Sequence, residues 1–506
     1  MITQEDIIYF VLTDRFCDGD KKNNEDFDKN DPKRYHGGDF AGIIKKIPYL
    51  KNLGITAVWI TPVYLSIGST NDSDGYHGYW AMDFEKIDPH LYSKDPDIAD
   101  GGKEHLKKLS QQLHRAGIKL ILDMVVNHTG YHNDQYQSYP DKKIKDDWFN
   151  TGCEGDMIKG SLCGLPDLNC SNVDVVDYFV NNILRWIEQA EIDAIRMDTV
   201  KHVEGAFWYF FKSYVKGKYK NITLIGEDLE YDVNTISKYQ KDHDFDTLFD
   251  FPLCAKIKET FIYNGSMNLI AMPRVSDDER VRGALDMDRD YTNANRLVTL
   301  LDNHDLERRF MSEILDRWGH WDKMRANKIY KLALSFLFTT RGIPQIYYGT
   351  EIGMEGYKDP DNRKDMPWKI FGDQNGPDQN APFSKYKSER EIFDHTKKLI
   401  EIRKENDALT CGYLFTLYSD QYIYSYMREF KGNTIIVVIN NGLGEMLYPL
   451  PIPIEFNSNI PGRIKKNMRD RIFMENLFDP ADKIGLKNGD ITVQLSGKEA
   501  KIYKLM

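Results

Sequence analysis

Eight short apolar runs separated by amphipathic stretches constrain this chain more than any other feature. The runs fall at 7–12, 57–61, 119–125, 194–197, 223–225, 247–251, 297–301 and 345–348. Between them, Leu106, Leu109 and Leu113 share one helical face, and so do Val176, Val180, Ile183 and Ile187. Strand and helix in repeated alternation favour parallel βαβ units. Eight such units predict an α/β fold closed as a (β/α)8 TIM barrel. One connection is anomalous: between Val125 and Val175 the sequence is polar, glycine-rich and without clear periodicity. A connection of that length inside a compact domain is usually functional. After about residue 408 the pattern changes to short β-type runs at 422–427, 434–439, 446–450 and 491–495, with Gly, Asn and Pro turns between them. The expected division is therefore a barrel over 1–128 and 174–408, an inserted domain over 129–173, and a C-terminal antiparallel β-sandwich over 409–506.

The 506 residues carry a formal net charge of −11. That charge disfavours a nucleic-acid partner, which needs a basic surface. It suits a neutral ligand, and it suits cation binding wherever the acids cluster. No stretch is long and apolar enough to span a membrane as a helix. Met1-Ile-Thr-Gln-Glu-Asp lacks the basic and apolar segments of a signal peptide. The expected location is cytoplasmic as the sequence stands, or secreted if a leader has been removed. The six cysteines show no CxxC pair and no zinc spacing. They read as free thiols, although Cys153, Cys163 and Cys170 are near enough in sequence for one loop disulfide. A monomer is expected.

Barrel active sites lie where strands end and loops begin. The third run gives Asp123 and then Asn127-His128, and the fourth gives Arg196-Met197-Asp198 followed by Lys201-His202. The fifth gives Glu227-Asp228, and the seventh gives Asp302-Asn303-His304-Asp305. One Asp after a strand is ordinarily a turn or helix cap; acids, an Arg and histidines recurring at the same end of four strands call for another reason. Paired carboxylates on one rim suit glycosidic cleavage. One protonates the leaving oxygen and needs a raised pKa, while the other stays ionised to attack the anomeric carbon. Arg196, two residues before Asp198 on a strand, points to the same face and would hold Asp198 ionised. Glu227 on the adjacent strand fits the short carboxyl separation of about 5–5.5 Å used by retaining enzymes.

These segments resemble the α-amylase family, glycoside hydrolase family 13. The matching stretches are Asp123-Met-Val-Val-Asn127-His128, Asp193-Ala-Ile-Arg196-Met-Asp198-Thr-Val-Lys201-His202, Ile225-Gly226-Glu227 and Leu301-Asp302-Asn303-His304-Asp305. Leu165-Pro166-Asp167-Leu168-Asn169 resembles the motif that closes the inserted domain. The resemblance implies Asp198 as nucleophile, Glu227 as acid/base and Asp305 as a third carboxylate that favours ring distortion. It implies that His128 and His304 hydrogen-bond the sugar and that Tyr79, beside Trp80, stacks beneath it. Asp359 and Arg363 resemble a segment that grips donor-side sugars.

The resemblance also implies structural Ca²⁺. One ion would lie between barrel and inserted domain, on Asn127, Asp167 and the carbonyl of His202. A second is suggested by Asp18, Asp20, Asn23 and Asn24, completed by the Gly37 carbonyl and Asp39. Hard oxygen ligands fit that ion, and the loop is not an EF-hand because Asn23 and Lys29 occupy its Gly and Glu positions. The pair Lys201-His202 resembles enzymes that act on α-1,4 chains. Cyclisation is disfavoured, because Cys163 and Leu229 stand where cyclodextrin glucanotransferases place aromatic residues. The expected activity is retaining hydrolysis of α-1,4-glucosidic bonds in starch, glycogen or maltooligosaccharides. An α-glucan transglycosylase of 4-α-glucanotransferase or maltogenic type is the alternative, and a non-catalytic sugar-binding barrel the remote one.

Overall fold

The computed structural model describes residues 1–68, 72–94, 100–131, 144, 146–243, 245–271, 283–371, 386–444, 449–455, 457–468, 473–486 and 490–506. All eight apolar runs become parallel strands: β1 (Ile8–Val11), β2 (Ala57–Ile60), β3 (Lys119–Met124), β4 (Ala194–Met197), β5 (Thr223–Gly226), β6 (Thr247–Leu248), β7 (Val298–Leu300) and β8 (Ile343–Tyr347). Neighbours pair in the order β6-β5-β4-β3-β2-β1-β8-β7. A parallel bridge from Phe249 to Val298 joins the two ends and closes the barrel. Every residue of β1 and β2 is buried. Strands buried on both faces read as continuous apolar runs instead of alternating ones, which is why they were visible in the sequence.

The helices follow from local chemistry. Phe40–Leu53 starts at Asp39, whose carboxylate accepts the Gly42 N–H, and stops at Gly54 in the left-handed region (φ 96°). Lys103–Arg115 buries Leu106, Leu109 and Leu113 against the barrel. Val173–Ala190 buries Val180, Ile183 and Ile187, with Val176 partly covered. The run at 247–251 is strand only to Leu248, because Asp250 caps the next helix, Phe251–Ile257, by accepting the Leu253 N–H. Among the described residues no helix is long and apolar enough to cross a membrane.

Beyond the barrel lies a six-stranded antiparallel sheet ordered Tyr413–Ser419, Ile423–Phe430, Asn433–Asn440, Glu499–Leu505, Phe473–Asn476, Lys483–Gly485. Its strands alternate. Tyr424, Tyr426, Ile435 and Val437 join the barrel core, whereas Met427, Ile436 and Val438 pack with Ile452, Ile491 and Val493 of a two-stranded sheet. Of the expected run at 446–450, residues 446–448 lie outside the described residues, and the strand there is Leu450–Pro453. A hairpin of Tyr64–Ser66 with Ala81–Ile87, not foreseen from the sequence, follows β2 and carries Tyr79 and Trp80 at its turn. The antiparallel bridge His128–Asp167 pins the inserted segment to the rim, and the bridge Phe149–Leu168 ties that segment together internally. Of its expected span, 132–143 and 145 lie outside the described residues.

Candidate active site

The rim is organised around one buried guanidinium. Arg196 lies on β4 with no exposed surface. Its Nη1 donates to Asp123 Oδ1 at 3.0 Å and to Asp198 Oδ1 at 2.5 Å. Its Nη2 lies 3.6 Å from Glu227 Oε2 and 3.9 Å from Asp305 Oδ2. Asp198 immediately follows β4 and Glu227 immediately follows β5, so parallel pairing of these strands brings both carboxylates to one cation. Asp123 on β3 anchors the far side. It also accepts the Trp59 indole N–H at 3.0 Å and the Tyr79 hydroxyl at 2.8 Å.

Burial pushes Glu227 up to about 8, with Asp198 and Asp305 adding to the rise and Arg196 opposing it. A group in that range is protonated at neutral pH and able to give a proton. Burial also pushes Asp123 up to about 7 against the pull of Arg196. The same burial drives His304 and His77 well below the usual imidazole range, so both rings are neutral. Tyr79 lies parallel to the His304 ring, with centroids 5.2 Å apart and planes at 17°.

These groups open into a cleft of about 480 Å³. It is lined by Tyr79, Trp80, His128, Asp198, Lys201, His202, Glu227, Leu229, His304, Asp305, Asp359 and Arg363, with Arg196 beneath it. Every residue predicted to bind substrate is thus gathered into one site. On the Asp305 side, Arg363 reaches Asp305 Oδ1 at 3.4 Å, the His304 carbonyl at 3.2 Å and Asp359 Oδ1 at 3.4 Å. On the Glu227 side, Lys201 donates to the Leu229 carbonyl at 2.9 Å.

The α-amylase catalytic-domain family model matches residues 10–162 and 154–412. The chain belongs to the α-amylase family. It is 31% identical over 514 aligned residues to the β/α-amylase of Paenibacillus polymyxa, covering 98% of this chain and 37% of that protein, so it spans well under half of that relative's length. It is 31% identical to the cyclomaltodextrinase of Thermoanaerobacter pseudethanolicus, covering 87% of this chain and 70% of that protein. Among solved structures it is similar to the α-amylase of Geobacillus thermoleovorans complexed with acarbose, at 31% identity and a TM-score of 0.78 over 100% of this chain and 99% of that one.

Both expected cation sites were tested on their buried oxygens. Leu168 N–H donates to the Asn127 carbonyl at 2.8 Å, which sets Asn127 beside the Asp167 turn. Asn127 Oδ1 and Asp167 Oδ1 are buried there without a hydrogen-bond partner. The His202 ring contacts the Met157 carbonyl of the inserted segment at 2.7 Å. In the N-terminal loop, Asp18 Oδ1, Asn23 Oδ1 and Asn24 Oδ1 are likewise buried and unpartnered. Their other atoms are engaged: Asn23 Nδ2 donates to the His90 and Tyr92 carbonyls, and Asn24 Nδ2 donates to Asp18 Oδ2. Gly37 sits at φ +87°, and a Cβ there would meet Asn24 Oδ1 at 2.4 Å. Oxygens left facing inward suit a hard cation. Two further expected ligands of the second site also have partners within the protein. Asp20 directs its carboxylate to the Lys22 N–H and the Ser93 hydroxyl. Asp39 accepts from Gly19, Asp20, Gly42 and Asn23, so it shapes the loop and caps the helix. Among the described residues no group of three or more His, Cys, Asp or Glu side chains is placed to hold a metal ion. All six cysteines are free.

Several residues of the site were missed in the sequence. Thr199 adopts φ 48°, a left-handed conformation rare for a β-branched residue, and thereby turns its N–H onto Glu227 Oε2 at 3.0 Å. His77 Nδ1 accepts the Tyr79 N–H at 3.1 Å. Tyr131 donates its hydroxyl to the Cys163 carbonyl at 2.9 Å and meets Trp80 edge-on, which sets an aromatic ring beside a position expected to lack one. Trp59 supports Asp123. The His77–Tyr79 contact is local, two residues apart, whereas the Thr199 and Trp59 contacts depend on which strands become neighbours.

Proposed function

We propose that the chain hydrolyses α-1,4-glucosidic bonds of starch, glycogen or maltooligosaccharides with retention of configuration. The observation that carries this reading is the shared Arg196. One buried cation serves two carboxylates, and one of them, Glu227, is held protonated by burial at neutral pH. Two carboxyl groups with opposed protonation demands are what retaining cleavage needs.

In this reading Glu227 gives its proton to the leaving oxygen as Asp198 attacks the anomeric carbon. The glycosidic C–O bond breaks and an ester forms between sugar and Asp198. Glu227, now ionised, takes a proton from water, whose oxygen attacks the same carbon and frees Asp198. Thr199 N–H fixes the Glu227 carboxyl through this exchange, and Arg196 holds the Asp198 carboxylate in position for attack. Asp305, His304 and His128 grip hydroxyls of the distorted ring, over the Tyr79 platform. Arg363 and Asp359 bind the donor side. Lys201, His202 and Leu229 border the leaving-group side, since they lie with the acid. Trp80 walls the cleft.

Ca²⁺ would be held by Asn127, Asp167 and the His202 carbonyl, and a second ion by Asp18, Asp20, Asn23, Asn24, the Gly37 carbonyl and Asp39. Bound there, Ca²⁺ supplies rigidity and no bond-breaking. We divide the chain into a catalytic barrel of 1–128 with 174–408, an inserted domain of 129–173 and a C-terminal sandwich of 409–506. Transglycosylation uses the same first half-reaction, and the Arg363–Asp359 grip on the donor side suits it equally.

The test is activity on soluble starch and on a chromogenic maltooligosaccharide, with Asp198→Asn and Glu227→Gln beside the parent. Loss in both variants is expected. Full starch activity in either one overturns the proposal.

A further inference from the structure

Directly after the acid/base comes a carboxylate that the mechanism above does not use. Asp228 is 1% exposed, and neither of its oxygens accepts a hydrogen bond. A bare buried carboxylate is costly unless a cation compensates it. The compensating cation is Lys201, whose Nζ stands 3.8 Å from Asp228 Oδ1 and 3.8 Å from Glu230 Oε2 while donating to the Leu229 carbonyl. The flexible lysine is thus held on three sides by the segment that follows Glu227. A lysine stem carries considerable rotamer entropy, so a free lysine would bind sugar hydroxyls weakly.

The general acid defines the leaving-group side of the scissile bond, because it protonates the leaving oxygen. Lys201 is fastened to the acid's own loop and lines the cleft. We propose that Asp228, assisted by Glu230, is a positioning residue that fixes the Lys201 ammonium as the hydroxyl-binding group for leaving and acceptor sugars. Leu229 offers no aromatic ring there, so this polar contact governs how long an acceptor sugar stays. Asp228 thereby sets the division of the glycosyl-enzyme between water and sugar. The inference rests on the reading of Glu227 as acid/base.

The experiment compares Asp228→Asn with the parent on two substrates. One is maltoheptaose, which fills both sides of the cleft. The other is a maltotrioside with an activated aryl leaving group, which needs no leaving-side sugar contact. For maltoheptaose, KM is expected to rise about five- to tenfold with kcat nearly unchanged, and the transglycosylation share of products to fall. The aryl substrate should keep its kcat/KM. Asp228→Glu should restore part of the loss. Glu230→Gln, at a more exposed site, should shift maltoheptaose KM in the same direction by less and guards against a folding defect. In the Lys201→Met background the Asp228→Asn change should add nothing. Equal loss on both substrates, additivity with Lys201→Met, or no change in KM would overturn the proposal. A parallel Glu227→Gln assay reports the parent reading separately: if that variant keeps maltoheptaose activity, the acid assignment fails and not the lysine clamp.

Discussion

Replacing Arg196 by Met tests the electrostatic centre of the site. Methionine matches much of the stem's volume, so the change is chiefly the loss of a charge. Arg196 is fully buried and bonds Asp123 at 3.0 Å and Asp198 at 2.5 Å, with Glu227 and Asp305 within 3.9 Å. At an effective dielectric of about 20, each of the two close contacts is worth roughly 5–7 kcal/mol before desolvation of the arginine is subtracted. Breaking a buried pair from one side leaves a net loss of about 3–5 kcal/mol, because a buried carboxylate stays uncompensated. That loss depends on pH in a defined direction. Burial already raises Asp123 to about 7 and Glu227 to about 8 against the pull of Arg196, so loss of the cation raises both further and the folded state binds more protons than the unfolded state. Stability of the variant then falls as pH rises through those values, and the gap to the parent widens from pH 5 to pH 8. Urea denaturation at both pH values, followed by tryptophan fluorescence, measures the gap. Starch hydrolysis should fall by at least about a hundredfold, since Asp198 loses the guanidinium that holds it in place. A gap under about 1 kcal/mol at pH 8, or one independent of pH, would refute the reasoning.

Glu227→Gln should stabilise the protein above pH 8 and leave it unchanged near pH 4. The folded carboxyl is raised to about 8 by burial, so its ionisation destabilises the parent progressively through that window; thermal melts at pH 4 and pH 9 check this. The same raised value predicts that kcat/KM of the parent declines as pH passes about 8. Tyr79→Phe removes the hydroxyl bond to Asp123 at a cost of about 1–3 kcal/mol in denaturation, whereas Tyr79→Ala also removes the ring over His304 and should raise KM for maltooligosaccharides. Added Ca²⁺ should raise the melting temperature of the parent, and Asp167→Ala should abolish most of that rise; an equal rise in the variant would remove Asn127 and Asp167 from the cation site.

Much of the barrel was legible because its strands are buried on both faces and therefore apolar without interruption. The C-terminal strands were harder. Glu499–Leu505 mixes Lys, Tyr and Glu because one of its faces is only partly covered, and Phe473–Asn476 is too short to show a period. The motif of Tyr79 and Trp80 is legible in the sequence, whereas the hairpin that carries it is not, because its strand Tyr64–Ser66 is only three residues long. The catalytic groups were legible because they sit at strand ends, where position along the chain fixes position on the rim. What could not be read were contacts made by neighbouring strands. Trp59 and Asp123 meet only because β2 lies beside β3, and Thr199 reaches Glu227 only through a φ of 48°. The roles of Asp20 and Asp39 also needed the fold, since an acid in a loop looks the same whether it faces a cation or caps a helix.

The central claim is that Asp198 becomes covalently bonded to the sugar. A fluorinated maltosyl fluoride slows breakdown of the ester enough for the loaded protein to be digested and its peptides weighed. One added maltosyl mass is expected on the peptide containing Asp198, absent when Asp198→Asn is treated in the same way. A label on Glu227 or Asp305, or no label together with hydrolysis that inverts the anomeric centre, would contradict it.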